Sequence, residues 1–229
     1  MNKYEITKRI EKFAPTETAE QWDCVGFMVE TPKKEVHKIM LCLTPTQDII
    51  NQARKQNCDM IVSHHPLFHV PIDWSDIDIY SAHTNLDRAQ GGTTDTIIKT
   101  LELQDSQINL EHDFLRFVDL EISVEEFAKK LSKISPNLRY TNNNSATTLK
   151  RIAFCAGSGS EFIKDAQVLG ADTLVTGDLK FHTALDSEIA VFDIGHFESE
   201  IIILPILKNI IGEGVEIIFA KEYCPFVYI

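Results

Sequence analysis

The chain contains no CxxC pair, and its five cysteines, Cys24, Cys42, Cys58, Cys155 and Cys224, are odd in number and scattered. That pattern argues against a disulfide framework and fits reduced thiols in a cytoplasmic protein. Basic residues are in short supply: 22 Lys and Arg stand against 34 Asp and Glu, for a net charge of -12. Nucleic acid and anionic membranes need positive charge to bind, so both are disfavoured as partners. A small anionic substrate held at a metal remains compatible. Long apolar runs are also lacking. The longest, Ile201–Leu207, carries Pro205 and is too short to span a bilayer. The stretch Met1–Pro15 mixes Lys, Glu and Arg with Ile6, Ile10 and Phe13, which predicts an amphipathic helix without the apolar segment of an export signal. No low-complexity tract, heptad array or short repeat appears.

Several catalytic signatures are missing as well. There is no HExxH helix of a zincin protease, no GxSxG elbow and no GxxxxGK[ST] phosphate loop. The DxH and GNH[DE] pieces of metallophosphoesterases are absent. Gly157-Ser158-Gly159-Ser160 follows a predicted strand, but Phe162 breaks GxGxxG, so this segment reads as a tight turn.

What is present is a chain of 229 residues, 44% hydrophobic and 24% charged, enough for one large domain or two small α/β lobes. Strands and helices alternate throughout, which predicts an α/β fold of two lobes. Strands are expected at Val25–Val29, His37–Leu43, Asp59–Ser63, Ile79–Tyr80, Phe114–Ile122, Arg151–Ala156, Thr173–Thr176, Ile189–Ile194 and Val215–Ala220. Helices are expected after Thr44, with Thr44 as cap and Pro45 in the first turn, and after Thr93 or Thr94. A third should follow Ser123, which makes a capping box with Glu126. Others should run from Glu161 to Leu169, after His182 and from Phe197 to Ile211. Trp22 is expected to pack beside the first strand. The polar stretch 103–113 marks a lobe boundary, placed between residues 106 and 107. The first lobe then covers 1–106 and the second 107–204, with 205–229 joining the first.

The most informative stretch is Met60 to His69. A short apolar strand ends in His64-His65, and Pro66, lacking an N–H, stops the ladder there. Adjacent residues of an extended chain point to opposite sides, so the two imidazoles are expected to serve two neighbouring ions rather than one. Three further segments place ligand-type residues just after strands: His83 with Asp87, Asp178 with His182, and His196 with Glu200. His196 and Glu200 are four apart, one face of a helix turn, and Glu200 is placed in a first turn where the dipole favours a carboxylate. Each pair alone also fits a capped helix or a hydrogen-bonded loop. Together, a mixed imidazole and carboxylate set suits Zn, Mn, Fe, Co or Ni. His37, His69 and His112 have no patterned partner.

Ser63-His64-His65-Pro66-Leu67, His83-Thr84-Asn85-Leu86-Asp87 and Gly195-His196-Phe197-Glu198-Ser199-Glu200 resemble the Nif-three-like dinuclear-metal proteins, often labelled GTP cyclohydrolase I type 2 homologues. Ala171-Asp172 with Thr176 to His182, and Trp22-Asp23 with Gly26, share the resemblance, which runs in order from about Phe13 to Phe226. It implies that His64, His65, Asp87, His196 and Glu200 hold two divalent metal ions, with Glu200 bridging. His83, Asp178 and His182 would stand beside the ligands. It also implies two α/β lobes with mixed sheets flanked by helices, facing across a metal site in the cleft, with the C-terminal segment returning to the first lobe. The expected assembly is a ring-shaped homohexamer. Cys24 stands where the family pattern has Asn, and Glu30 where it has Gly. The inserted domain of longer members has no room between Ile122 and Arg151.

The function that follows is a metal-dependent hydrolase acting through a metal-bridging hydroxide on a nucleotide-like or other small anionic substrate, with a GTP cyclohydrolase-type reaction among the candidates. His182 or His83 would shuttle a proton. The other reading is a non-enzymatic metal-binding scaffold or regulatory interaction protein.

Overall fold

The computed structural model of the chain describes residues 1–103, 108–109 and 111–227. The boundary expected between residues 106 and 107 lies outside the described residues. Two compact units are formed: Met1–Gly92 with Ile203–Tyr223, and Thr93–Ile202 with the described residues from Cys224 onward.

In chain order the first unit contributes α1 (Lys3–Phe13), β1 (Gly26–Val29), β2 (Lys38–Cys42), α2 (Gln47–Lys55), β3 (Met60–Ser63), β4 (Asp78–Ser81) and α3 (Thr84–Arg88). The second contributes α4 (Thr93–Thr100), β5 (Ile108–Asn109), β6 (Arg116–Ser123), α5 (Val124–Leu131), β7 (Arg139–Thr141) and β8 (Thr148–Phe154). It continues with α6 (Ile163–Val168), β9 (Thr173–Thr176), α7 (Phe181–Asp186), β10 (Ala190–Asp193) and α8 (His196–Glu200). The chain then returns to the first unit with α9 (Leu204–Ile211) and β11 (Glu216–Phe219). Both sheets are mixed and flanked by helices.

The first sheet has the order β1-β4-β3-β2-β11. Only β1 runs antiparallel, against β4; the other pairings are parallel. Buried Ile49, Ile50 and Ala53 of α2 pack with Met40, Ile61 and Ile79 of the strands. A parallel strand buried on both sides is apolar throughout rather than alternating, as Met60-Ile61-Val62 shows. Asp59 anchors the entry to β3. Its carboxylate accepts the backbone N–H groups of His37 at 2.7 Å and Lys38 at 3.1 Å, and pairs with the Lys33 ammonium. Burial alone would raise the Asp59 carboxyl, but these donors reverse that and hold it below the ordinary carboxylate value. The stability it contributes is therefore present above about pH 4 and is lost as pH falls through the lowered value. Urea unfolding should show Asp59→Asn clearly weaker than the natural chain at pH 7, with the gap closing towards pH 3. A constant gap would contradict this.

The second sheet has the order β5-β6-β8-β9-β10-β7. Strand alternation supplies both its faces. Val118, Ile152, Phe154, Val175 and Phe192 pack under α4 and α5 with Ile97, Ile98, Val124 and Phe127. Phe117, Ala153, Cys155, Leu174 and Val191 turn the other way, against Ile163 and Ala166 of α6. Ser123 caps α5 by accepting the Glu126 N–H at 3.2 Å.

Several local expectations need correction. Thr46, not Thr44, caps α2, accepting the Ile49 N–H. Thr93 and Thr94 lie within α4 rather than before it. Thr94 instead takes the Ala156 N–H on its hydroxyl at 3.2 Å. The single helix expected over Phe197–Ile211 is broken by a 3₁₀ turn at Ile201–Ile203, with Pro205 in the first turn of α9. Edge strand β7 falls in a stretch with no strand expectation. Among the described residues no helix is long and apolar enough to cross a membrane.

Candidate metal centre

In the first unit, β3 and β4 are adjacent, parallel and in register, with Ser63 beside Ser81. Paired strands lie about 4.8 Å apart, so the residues that follow them emerge side by side. Those residues are His64-His65 and His83. Ring centroids lie 5.1 Å apart for His64–His65, 5.1 Å for His64–His83 and 5.6 Å for His65–His83. One ligand nitrogen from each ring lies within 4.8 Å of the others, a group able to hold a metal ion. The expectation that His64 and His65 diverge is therefore wrong. The strand ends at Ser63, so its alternation does not extend to them. The Ser63 hydroxyl instead donates to the His65 carbonyl at 2.8 Å and curls the chain. Asp87, on α3, has Oδ1 3.6 Å from His64 Nε2.

Each of these rings is oriented from behind. His64 Nδ1 meets the Ala82 carbonyl at 3.0 Å, His65 Nδ1 the Thr44 hydroxyl at 2.6 Å, and His83 Nδ1 the Asp23 carboxylate at 2.9 Å. Carbonyls and carboxylates only accept, so Nδ1 carries the proton in His64 and His83, and Nε2 is the ring atom able to ligate a metal or accept a proton. The Thr44 hydroxyl takes either role towards His65. The Asp23 side chain is covered and also receives the Thr84 N–H and hydroxyl, at 3.1 and 2.5 Å. Burial alone would raise its carboxyl; the bonds from Thr84 and His83 hold it below its ordinary value. Burial, then the neighbouring His64, lowers the His83 pKa against the opposing pull of Asp23 and Asp87. Trp22 is exposed rather than packed, with its ring edge-on to His83 at 6.2 Å. Glu30 accepts the Tyr4 hydroxyl at 2.6 Å.

The second unit repeats the device. Strands β8, β9 and β10 are parallel neighbours, and beyond their ends come Gly157, Asp178 and His196. His196 Nδ1 donates to Asp178 Oδ2 at 2.7 Å, and its Nε2 lies 3.1 Å from Glu200 Oε2. Burial lowers the His196 pKa, but Glu200 and then Asp178 outweigh it and raise it to about 9. Glu200 is buried. It is the last residue of the five-residue α8, not part of a first turn. What admits it is Gly157, at φ +62°: a Cβ there would fall 2.2 Å from Glu200 Oε1. The Gly157 N–H also donates to Ser199 Oγ at 2.9 Å. His182 is exposed on α7, its ring against Phe181 at 5.3 Å.

Thr44 and Gly157 carry no functional signal in the sequence. Thr44-Pro45 reads locally as a helix start, and only the pairing of Cys42 with Ser63 brings Thr44 level with His65. Gly157 reads as a turn because the residue it makes room for is 43 positions away.

The family description Duf34/NIF3 (NGG1p interacting factor 3) matches residues 1–225. A GTP cyclohydrolase 1 type 2 homolog of Clostridium perfringens is 34% identical to this chain, over 95% of this chain and 95% of its own length. Among solved structures, reduced HcgD from Methanocaldococcus jannaschii is 28% identical with a TM-score of 0.83, covering 96% of this chain and 97% of its own. The Staphylococcus aureus hypothetical protein SA1388 is 23% identical with a TM-score of 0.84, over 100% and 99%, a likeness of fold alone. With a match that runs along nearly its whole length, the chain belongs to the Duf34/NIF3 family.

Proposed function

We propose that this protein binds two divalent metal ions through His64, His65 and Asp87 of the first unit and His196 and Glu200 of the second, and hydrolyses a nucleotide-like or other small anionic substrate with them. The observation that carries the reading is the common orientation of the histidines. Each of His64, His65, His83 and His196 has Nδ1 engaged by a fixed partner, the arrangement that fixes metal-ligating imidazoles. The donor set is nitrogen and carboxylate oxygen without sulfur, which fits Zn, Mn, Fe, Co or Ni. Bound divalent ions would lower the pKa of water and polarise a substrate carbonyl or phosphoryl oxygen. His83, with its pKa held below the ordinary value, is neutral at pH 7 and accepts a proton at Nε2. Asp23 at its Nδ1 steadies the imidazolium that forms. His182, open to solvent, is the second candidate for moving a proton.

The naming of relatives as GTP cyclohydrolase 1 type 2 homologs points towards a purine nucleotide substrate. The test is turnover of a nucleotide panel with Mn or Zn by the natural chain and by Glu200→Ala. Metal-dependent turnover lost in the variant supports the hydrolase. Equal background rates in both would favour the second reading, a metal-binding interaction protein, which the family's description as an interacting factor supports. The same reading carries a ring-shaped homohexamer working in the cytoplasm; light scattering should return six chain masses.

Metal binding should depend on pH through His196. With a pKa of about 9 its ring is protonated at pH 7 and must lose that proton to ligate. Affinity should then rise about tenfold per pH unit up to about pH 9, one proton being displaced at this ring. Calorimetry in buffers of different ionisation enthalpy reads the release directly. No proton release at pH 7 would contradict it.

A further inference from the structure

The end of β10 carries a buried carboxylate, Asp193, whose two oxygens accept four hydrogen bonds. Oδ1 accepts the Gly195 N–H at 3.0 Å. Oδ2 accepts the Leu179 N–H at 3.1 Å, Arg139 Nε at 2.9 Å and Arg139 Nη2 at 2.6 Å. Arg139 lies directly opposite Asp193 in the pairing of β7 with β10, and its Nη2 also donates to the Leu179 carbonyl at 2.8 Å. Leu179 is therefore gripped at both its amide nitrogen and its carbonyl oxygen. The residue before it, Asp178, has the left-handed φ of +53° that is uncommon outside glycine and needs its surroundings to hold it. Gly195, fastened to the other oxygen, is the residue before His196. One carboxylate thus ties down both chain segments whose side chains meet in the Asp178–His196 hydrogen bond.

We propose that Asp193 and Arg139 are positioning residues, which fix where Asp178 meets His196 and so set the aim of the His196 and Glu200 metal donors. This rests on the reading that those two residues bind metal. A structural role alone is a weaker account of Arg139. Its side chain is 67% exposed and that of Asp193 5%, so shortening Arg139 lets water reach the carboxylate, which keeps the Leu179 and Gly195 N–H groups. Its geometry is nonetheless specific: the planar fork reaches Asp193 and the Leu179 carbonyl together, which an ammonium does not reproduce.

The test is cobalt(II) titration of the full chain, followed by visible absorption, for the natural protein, Arg139→Ala, Arg139→Lys, Asp193→Asn and His196→Ala. Near-UV circular dichroism checks the fold of each. Arg139→Ala is expected to keep its fold and Tm, to bind cobalt about tenfold more weakly, at the low end of the range for groups behind a ligand, and to show a shifted cobalt band. Arg139→Lys should regain only part of the affinity. Asp193→Asn should lose more; should it fail to fold, Arg139→Ala decides. Natural affinity and spectrum in Arg139→Ala, alongside lost binding in His196→Ala, would overturn the positioning role alone. Natural affinity in His196→Ala would overturn the metal reading and this inference with it.

Discussion

Asp78→Ala is expected to destabilise the protein by about 3–5 kcal/mol, the scale for breaking one member of a buried ion pair. Lys3 and Asp78 are 0% and 1% exposed. The Lys3 ammonium donates to both Asp78 oxygens, at 3.2 and 3.3 Å, and to the Thr31 carbonyl at 2.6 Å. The Thr31 N–H donates to Asp78 Oδ1 at 2.6 Å. The ammonium also lies 5.2 Å from the centre of the Phe27 ring, a favourable cation–aromatic contact. Removing the carboxylate leaves a buried positive charge facing the Thr31 carbonyl and the more exposed Glu30 carboxylate, 3.6 Å away, without its buried partner. The pair joins the first turn of α1 to β4, the strand that leads to His83. A double replacement, Lys3→Met with Asp78→Leu, removes both charges and should recover most of the stability. Urea unfolding of Lys3→Met, Asp78→Leu and the double variant, beside Asp78→Ala, measures this. Additive losses, with no recovery in the double variant, would show that the pair is not the source.

Glu200→Ala is expected to weaken metal binding by about 100-fold or more, beyond the 10–100-fold typical of groups that only orient a ligand. The carboxylate is buried, 3.1 Å from His196 Nε2, in the opening left by Gly157. It is also the larger of the two influences that raise the His196 pKa, so that pKa should fall in the variant. Two readouts therefore move together: cobalt or manganese affinity drops, and the His196 ring signals in an NMR titration shift to lower pH. Gly157→Ala should imitate the metal defect, since its Cβ would occupy the place of Oε1. Unchanged affinity in Glu200→Ala would exclude Glu200 as a ligand.

The sequence made the alternating α/β architecture legible because each parallel strand is a short apolar run bounded by polar turns. It also exposed the histidines and acids, because His64, His65, His83 and His196 follow closely on such runs and Asp87, His182 and Glu200 sit on the short helices that come next. What it did not reveal depends on strand pairing. The convergence of His64 with His65 requires knowing that β3 stops at Ser63, and the grip of Thr44 on His65 requires the register of β2 on β3. The three-residue strand β7 has Tyr140 stacked on Phe192 and Arg139 tied to Asp193. It is held by those partners rather than by any local pattern, so no periodicity announces it. The break in the last helix follows from Pro205, visible in the sequence, but its place was set by where the chain leaves α8 at Glu200.

The central claim is that the oriented imidazoles and the buried carboxylate exist to hold metal. It is tested most directly by elemental analysis of protein purified without chelator or affinity tag, then incubated with manganese or zinc and desalted. Two divalent ions per chain are predicted, falling sharply in Glu200→Ala. A natural chain that retains no ion, or a variant that retains as many as the natural chain, would contradict the account.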